Sequence, residues 1–367
     1  MKPQENNITG VLLLNLGGPD SLGSVKPFLL NLFSDREIIR LGPSFMQKPL
    51  AYLISSLRAK KTERLYGLIG GKSPIFDITN AQAKALEAAL NKLHTPEYCA
   101  DTASLLSSAL NKQDKGKVAD SGIKVYVAMR YWHPLIEEVV PKIINDGIKK
   151  IVALSLYPQY SVATTGSSLT KLKEVASEFP VDIYSIESWY KHTLYTDALV
   201  NAIRKGIESF QPLPPGSFKT PVTKPEGSSD VHVLFSAHSL PVRFVNEGDP
   251  YVEQIHGTIS EITQKINISW ELSYQSRSGP VQWLKPSTDE MIHILAHRGV
   301  KNLLIVPLSF VSDHIETLYE IDILYKKMAE DLGVRLKRSE SLNTLPIFIA
   351  ALKAIVLEGI KEAGWAE

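Results

Sequence analysis

The strongest constraint on this chain is that its sequence runs through one pattern twice. DGIKKIVALSLYPQYS, from Asp146, and RGVKNLLIVPLSFVSD, from Arg298, share a turn glycine followed by an apolar strand. SIESWYKHTLYTDALVNAIRKGI, from Ser185, and RSESLNTLPIFIAALKAIVLEGI, from Arg338, repeat at nearly the same offset of about 150 residues, the size of one domain. Apolar runs at 11–16, 124–129, 151–157 and 181–186, then at 231–235, 270–274, 303–310 and 334–338, read as buried strands. Helical periodicity separates most of them, at 77–93, 134–145, 252–266 and 287–297, the last opening on a capping box from Ser287 to Glu290. Strands alternating with helices imply parallel sheets. The expectation is an α/β protein of two similar Rossmann-like domains, each with a parallel four-stranded sheet. A Pro/Gly/Ser-rich stretch at 211–229 reads as a surface connection, and a loop-like insertion occupies the region near 93–121.

Charge and cysteine content remove several function classes. Forty basic against thirty-nine acidic residues leave a formal charge of +1, with no basic block, which argues against a nucleic-acid partner. The single cysteine, Cys99, excludes internal disulfides, a four-cysteine zinc site and a four-thiolate cluster held by one chain. MKPQENNITG lacks the apolar core of a signal peptide, and no run reaches the roughly 18 to 20 apolar residues that span a bilayer. A cytoplasmic protein is expected. Residues 28–57 hold Phe28, Leu29, Leu30, Leu32, Phe33, Phe45, Met46, Leu50 and Tyr52 among scattered basic residues. They read either as core packing or as an apolar lip over a ligand or the inner face of a membrane.

Chemistry concentrates at two predicted strand ends, where open α/β sheets bind ligands. FSAHSLP places His238 at the tip of one strand, and SDHIETLYEID follows another. If a helix begins near Ser312, then Asp313, Glu316, Thr317 and Glu320 share one face, with His314 beside it. Asp313 and Glu316 also match a capping box, which would explain part of the stripe but not Glu320. Imidazole and carboxylate together suit a divalent first-row metal with open positions, and imidazole accepts protons near neutral pH. The first-half counterparts, NLGGP and LYPQYSVATTGSS, lack these groups. GLIGGKSP, from Gly67, is not a phosphate loop, because Tyr66 stands where the pattern needs its first glycine and Pro74 follows the serine. NLGGPDSLG likewise misses the dinucleotide spacing.

Seven blocks in order resemble the ferrochelatase family: LLLNLGGPDSLGSVKPFLLNLFSDR, IGGKSPI, MRYWHP, LYPQYSVATTGSS, FSAHSLP, YQSRSGPVQWLKPSTDE and SDHIETLYEID. The resemblance implies a class II chelatase-like pseudo-duplication enclosing a cleft, with the last helix packed back on the first domain, so that residues 1–188 with 344–367 form the N-terminal domain and residues 189–343 the C-terminal domain. It implies a lyase that inserts ferrous iron into protoporphyrin IX to form protoheme, the terminal step of heme biosynthesis. His238 and Glu316 match the facing pair that binds metal and accepts pyrrole protons, in an order left open. His314 and Glu320 match an acidic path to that pair. Leu16, Tyr131, Tyr160 and Trp283 fall in matching blocks as apolar cleft walls, and Arg130 as a partner for a propionate.

Departures from the pattern set further expectations. Val162 replaces one of four cysteines that hold a two-iron cluster in some members, and no cysteine-bearing tail follows Glu367, so no iron-sulfur cluster and no cofactor beyond the iron substrate are expected. Gly67 and Leu68 replace an arginine pair found in some relatives, and that propionate contact is not carried over. The apolar lip favours protoporphyrin over coproporphyrin. Coproporphyrin ferrochelatase, cobalt chelatase and a non-catalytic tetrapyrrole carrier remain as alternatives, and peripheral membrane contact stays open.

Overall fold

A computed structural model describes residues 9–91, 122–210, 231–277 and 279–365. Cys99 and the segments at 93–121 and 211–229 singled out by sequence therefore lie wholly or almost wholly outside the described residues. Two four-stranded sheets form. The first contains β1 (Thr9–Asn15), β2 (Lys124–Met129), β3 (Lys150–Ser155) and β4 (Asp182–Ile186), in the order β2-β1-β3-β4. The second contains β5 (Val231–His238), β6 (Trp270–Gln275), β7 (Asn302–Pro307) and β8 (Arg335–Arg338), in the order β6-β5-β7-β8. Every ladder is parallel, as expected when helical crossovers join successive strands.

The repeat extends to register. Leu14 pairs with Ser155 as Ser236 pairs with Pro307, and the carbonyls of Leu14 and Ser236 accept from Leu156 and Leu308 at 3.0 and 2.9 Å. Leu16 is thus the first-half counterpart of His238, and Tyr157 that of Ser309. After β2 and β6 the chain returns through Met129–Leu135 and Tyr274–Ser287 bridges, spanning residues 130–134 in the first half but 275–286 in the second. The longer second-half loop carries Trp283.

Two predicted strands overshoot. β3 and β7 stop at Ser155 and Pro307, while Leu156, Tyr157, Leu308 and Val311 are buried under the loops that follow. An apolar run marks burial, and burial continues past the last ladder bond.

Alternation along each strand sorts side chains between two layers. Val11, Leu13, Val152 and Leu154 share one core with Val233, Phe235, Leu304 and Val306 of the other sheet, whereas Leu12 and Leu14 pack outward against Ile136 and Leu172. The helices Thr193–Glu208 and Pro346–Glu362 fill that shared core. Each meets the other repeat's sheet through a glycine. A Cβ on Gly206 would lie 2.8 Å from Leu304, and one on Gly359 would lie 2.7 Å from Ile186. The two glycines occupy matching positions in the repeat, RKGI and LEGI.

The lip is two packed helices, Val25–Ser34 and Gln47–Gly67. Val25, Phe28, Leu29 and Phe33 are buried with Ala51 and Tyr66, while Phe45, Tyr52, Leu53 and Leu57 are exposed, Phe45 by 76%. Core packing thus accounts for the buried subset, and the exposed subset is left facing outward. No helix among the described residues is long and apolar enough to cross a membrane.

Candidate active site

His238 is the last residue of β5, and Glu316 opens the segment after β7, so the central pair of strands delivers both to one sheet edge. Nδ1 of His238 meets Oε2 of Glu316 at 2.9 Å. The imidazole is about one-third exposed, 32%, and the carboxylate 16%. Behind the ring, Ser309 Oγ accepts the His238 amide at 2.9 Å and Tyr251 donates its hydroxyl to the His238 carbonyl at 3.0 Å. Those bonds fix the backbone, and Glu316 fixes the ring, leaving Nε2 as the free nitrogen.

The acids are carried on an unusual element. Glu316–Tyr325 winds as a π-helix, and Val162–Gly166 does so at the matching place after β3. Such i→i+5 turns are uncommon and are found mostly at functional sites. Glu320 lies one turn beyond Glu316, where Ser276 Oγ donates to Oε2 at 2.6 Å and Gln275 Nε2 at 3.3 Å. Gln275 also holds the Glu316 carbonyl at 3.1 Å, and Ser276 adopts a left-handed φ of 67°.

Asp313 keeps one contact of the predicted stripe, accepting from Thr317 Oγ1 at 3.2 Å, but its other partners lie elsewhere. The helical winding starts after it, and its carboxylate turns to Arg338 at 3.0 Å, Ser341 at 2.7 Å and Asn343 at 2.9 Å. The predicted Asp313–Glu316 capping box does not form, since the Asp313 amide donates to Asn343 Oδ1 at 3.0 Å. Asp322 is likewise bound to Arg338, at 2.8 Å. Of the four carboxylates in SDHIETLYEID, two face the histidines and two anchor the segment. The Ser287 box does form, with Ser287 N–H donating to Glu290 at 3.0 Å.

Electrostatics spread the protonation states apart. Burial works against charge on His238, but the charge and hydrogen bond of Glu316, with Glu320 behind it, outweigh burial and raise its pKa. Burial would raise Glu316, yet His238 and then His314 hold it well below the usual carboxylate range. Burial, followed by the Glu316 charge, pushes Glu320 up to about 7. His314 is lowered by burial, its ring tilted 56° against Phe310 with centroids 4.0 Å apart and its Nε2 3.9 Å from Glu316 Oε2. Among the described residues no three His, Cys, Asp or Glu side chains form a ready-made metal cage. His238 and Glu316 would therefore offer a cation two ligands and leave other positions open, beside two groups able to take protons near neutral pH.

The expected wall residues are more dispersed. Tyr131 is 1% exposed, and its hydroxyl donates to Asp35 at 2.7 Å, so it belongs to the core beneath the lip and does not stand free on a cleft wall. Arg130 pairs with Asp35 at 2.7 Å and donates from Nε to Ser167 at 2.8 Å, which neutralises the charge expected to meet a propionate. Leu16 joins the lip core beside Ile315, the residue before Glu316. Trp283 sits in the long second-half loop, bridged to Pro241, and lines a cavity of about 320 Å³ with Val242, Arg277 and Val281. Tyr160 packs near Gly166, its amide donating to Gln254 at 2.7 Å.

Sequence reasoning missed Tyr66 and Tyr157, whose hydroxyls are raised first by burial and then by the charge of Glu316. Tyr157 was legible as the counterpart of Ser309 in the repeat. Tyr66 carried no comparable signal.

The ferrochelatase family profile matches residues 8–104 and 96–360. Proteins named Ferrochelatase are similar at 46% identity in Geobacter metallireducens, covering 95% of this chain and 97% of that one, and at 46% in Desulfotalea psychrophila, covering 96% and 98%. One from a Cyanothece strain is 44% identical over 96% of this chain and 82% of its own. Among solved structures, SirB from Bacillus subtilis with Fe3+ aligns over 98% of this chain and 99% of its own, with a TM-score of 0.50 and 12% identity, a likeness of fold.

Proposed function

Since this chain belongs to the ferrochelatase family, we propose that it inserts ferrous iron into protoporphyrin IX to form protoheme. Family membership establishes the coarser statement, a metal chelatase and lyase acting on a porphyrin in heme biosynthesis. The finer reading is carried by the 2.9 Å His238–Glu316 contact at the strand tips. Metallation must remove two pyrrole protons and strip water from the ion. His238, with Nδ1 held by Glu316 and Nε2 free, is assigned as the first proton acceptor, and Glu316 as a metal ligand. Glu320, poised near neutral by burial and by Glu316, is assigned as the second acceptor. His314 stands behind them on the same edge. Leu16, Tyr160 and Trp283 are proposed to shape the apolar walls, with Tyr131 fixed in the core behind them, and Arg130 would serve a propionate only by leaving Asp35.

Preference for protoporphyrin over coproporphyrin is drawn from the apolar lip. The exposed Phe45, Tyr52, Leu53 and Leu57 are proposed to touch the inner face of a membrane peripherally, in a cytoplasmic protein. No resident cofactor is proposed, because one cysteine cannot supply a four-thiolate cluster. Anaerobic incubation with ferrous iron and either porphyrin, following loss of porphyrin fluorescence, tests the reading. Wild type should consume protoporphyrin faster than coproporphyrin, and His238→Ala should be slower by roughly 10²- to 10⁴-fold. No metallation by wild type, or an undiminished rate in the variant, would sink it.

A further inference from the structure

Gln82 is fully buried in the first-half helix Ile75–Asn91, yet its side chain is spent on the second half. Nε2 donates to Ser312 Oγ at 3.0 Å and to the Asn343 carbonyl at 2.8 Å, while Oε1 has no partner. A buried amide left half-satisfied is an expensive way to fill space, and an apolar side chain of that length would fill it without the orphaned oxygen. The two residues it holds both act on one peptide, Ser312 as its carbonyl side and Asn343 through the side chain that accepts its amide. The Asp313 amide donates to Asn343 Oδ1 at 3.0 Å. Because a trans peptide is planar, this pins the Ser312 carbonyl on the opposite side, where it meets Nδ1 of His314 at 3.1 Å. A carbonyl can only accept, so Nδ1 carries a proton, and in the neutral form of the ring the lone pair falls on Nε2. That Nε2 is buried without a partner, 3.9 Å from Glu316 Oε2.

We propose that Gln82 is a positioning residue, which holds the Ser312–Asp313 peptide from across the molecule so that His314 keeps its Nδ1–H tautomer and presents a bare Nε2 beside Glu316. A nitrogen lone pair at that point suits a cation or proton moving to or from Glu316. The proposal deepens the chelatase reading and rests on it for its kinetic consequence.

Gln82→Met keeps the length of the side chain and removes both donors and the orphaned acceptor. Proton–nitrogen correlation spectra of the imidazoles, assigned with His314→Gln, read the tautomer in the resting protein without porphyrin or metal. The parent should show Nδ1–H for His314, and Gln82→Met a mixture of tautomers. With ferrous iron and protoporphyrin, kcat of Gln82→Met should fall about 10-fold while the porphyrin KM stays within about two-fold. Ser312→Ala should lower kcat in the same sense, and the double variant should be no worse than Gln82→Met. An unchanged tautomer in the variant, additive losses in the double variant, or a KM rise equal to the kcat loss would overturn the proposal. Should Gln82→Met not fold, Ser312→Ala decides by the same spectra. If the parent metallates nothing, the chelatase reading fails alone, and the tautomer experiment still decides the role of Gln82.

Discussion

Replacing Arg338 with methionine should loosen the segment that carries both acids. Arg338 closes β8, and its guanidinium binds Asp313 at 3.0 Å and Asp322 at 3.0 and 2.8 Å, with Ser341 Oγ at 3.0 Å. Asp313 precedes the π-helix and Asp322 lies within it, so one side chain brackets Glu316 and Glu320. The two pairs differ in depth. Guanidinium and Asp313 are 11% and 21% exposed, a setting where a hydrogen bond between charged groups contributes about 1.5–3 kcal/mol. Asp322 is 38% exposed, and solvent screening reduces its pair to about 0–1 kcal/mol. Methionine fills the space of the stem but leaves two carboxylates without their shared counter-charge, so the expected loss is about 1.5–4 kcal/mol. Its pH dependence has a definite sign. Burial alone would raise Asp313, but Arg338, Asn343 and Ser341 outweigh it and depress the carboxyl. A depressed carboxyl contributes stability above its unfolded pKa, near 3.9, and loses it as pH falls through the folded value. The gap between parent and variant should therefore narrow below about pH 4. Urea unfolding at several pH values measures this, with Asp313→Asn expected to recover part of the loss in the methionine background. A deficit under about 0.5 kcal/mol at neutral pH, within the range of ordinary surface substitutions, would refute the bracketing argument. So would a deficit that persists undiminished in acid.

Two further perturbations follow from the same structure. Gly359→Ala places a Cβ 2.7 Å from Ile186, so overpacking of about 1–3 kcal/mol should exceed the roughly 1 kcal/mol gained in helix propensity; an unchanged or higher midpoint in thermal unfolding contradicts that packing. Glu320→Gln removes a carboxyl whose folded pKa is raised to about 7, and a raised carboxyl supplies stability below its unfolded pKa that is lost as pH rises to the folded one. The variant should therefore be less sensitive to pH between about 4.5 and 7 and more stable than the parent near pH 8 in urea titrations, whereas parallel curves would mean that Glu320 is not strained.

What the sequence disclosed depended on the range of the interaction. Strand positions and parallel pairing followed from local apolar runs, the helices between them and the repeat. His238 and Glu316 were legible for the same reason, as each sits just past an apolar run. The destination of Asp313 was not, since it depends on Arg338 and Asn343, brought near only when β8 pairs with β7. The helical spacing that put Asp313 on the stripe assumed α winding, while the chain adopts π winding held by tertiary contacts. Tyr131 and Arg130 show the opposite failure. Their types suggested a wall and an anion partner, but Asp35, nearly a hundred residues earlier, claims both.

Duplication explains why the chemistry stands on one side only. The counterparts of His238 and Ser309 are Leu16 and Tyr157, and both packed first-half residues lie on the side of the molecule nearest Glu316. A second histidine and hydroxyl there would have added another titrating group beside Glu316 and Glu320, two carboxylates already forced into different protonation states. Packed Leu16 and Tyr157 instead lower the local dielectric, which strengthens the His238–Glu316 interaction and raises Glu320. On the proposed reaction, Leu16 would also be part of the wall that a flat apolar ring packs against. The first copy thus acts on the chemistry through what it lacks, and polar replacement of Leu16 would weaken the pair without touching either member.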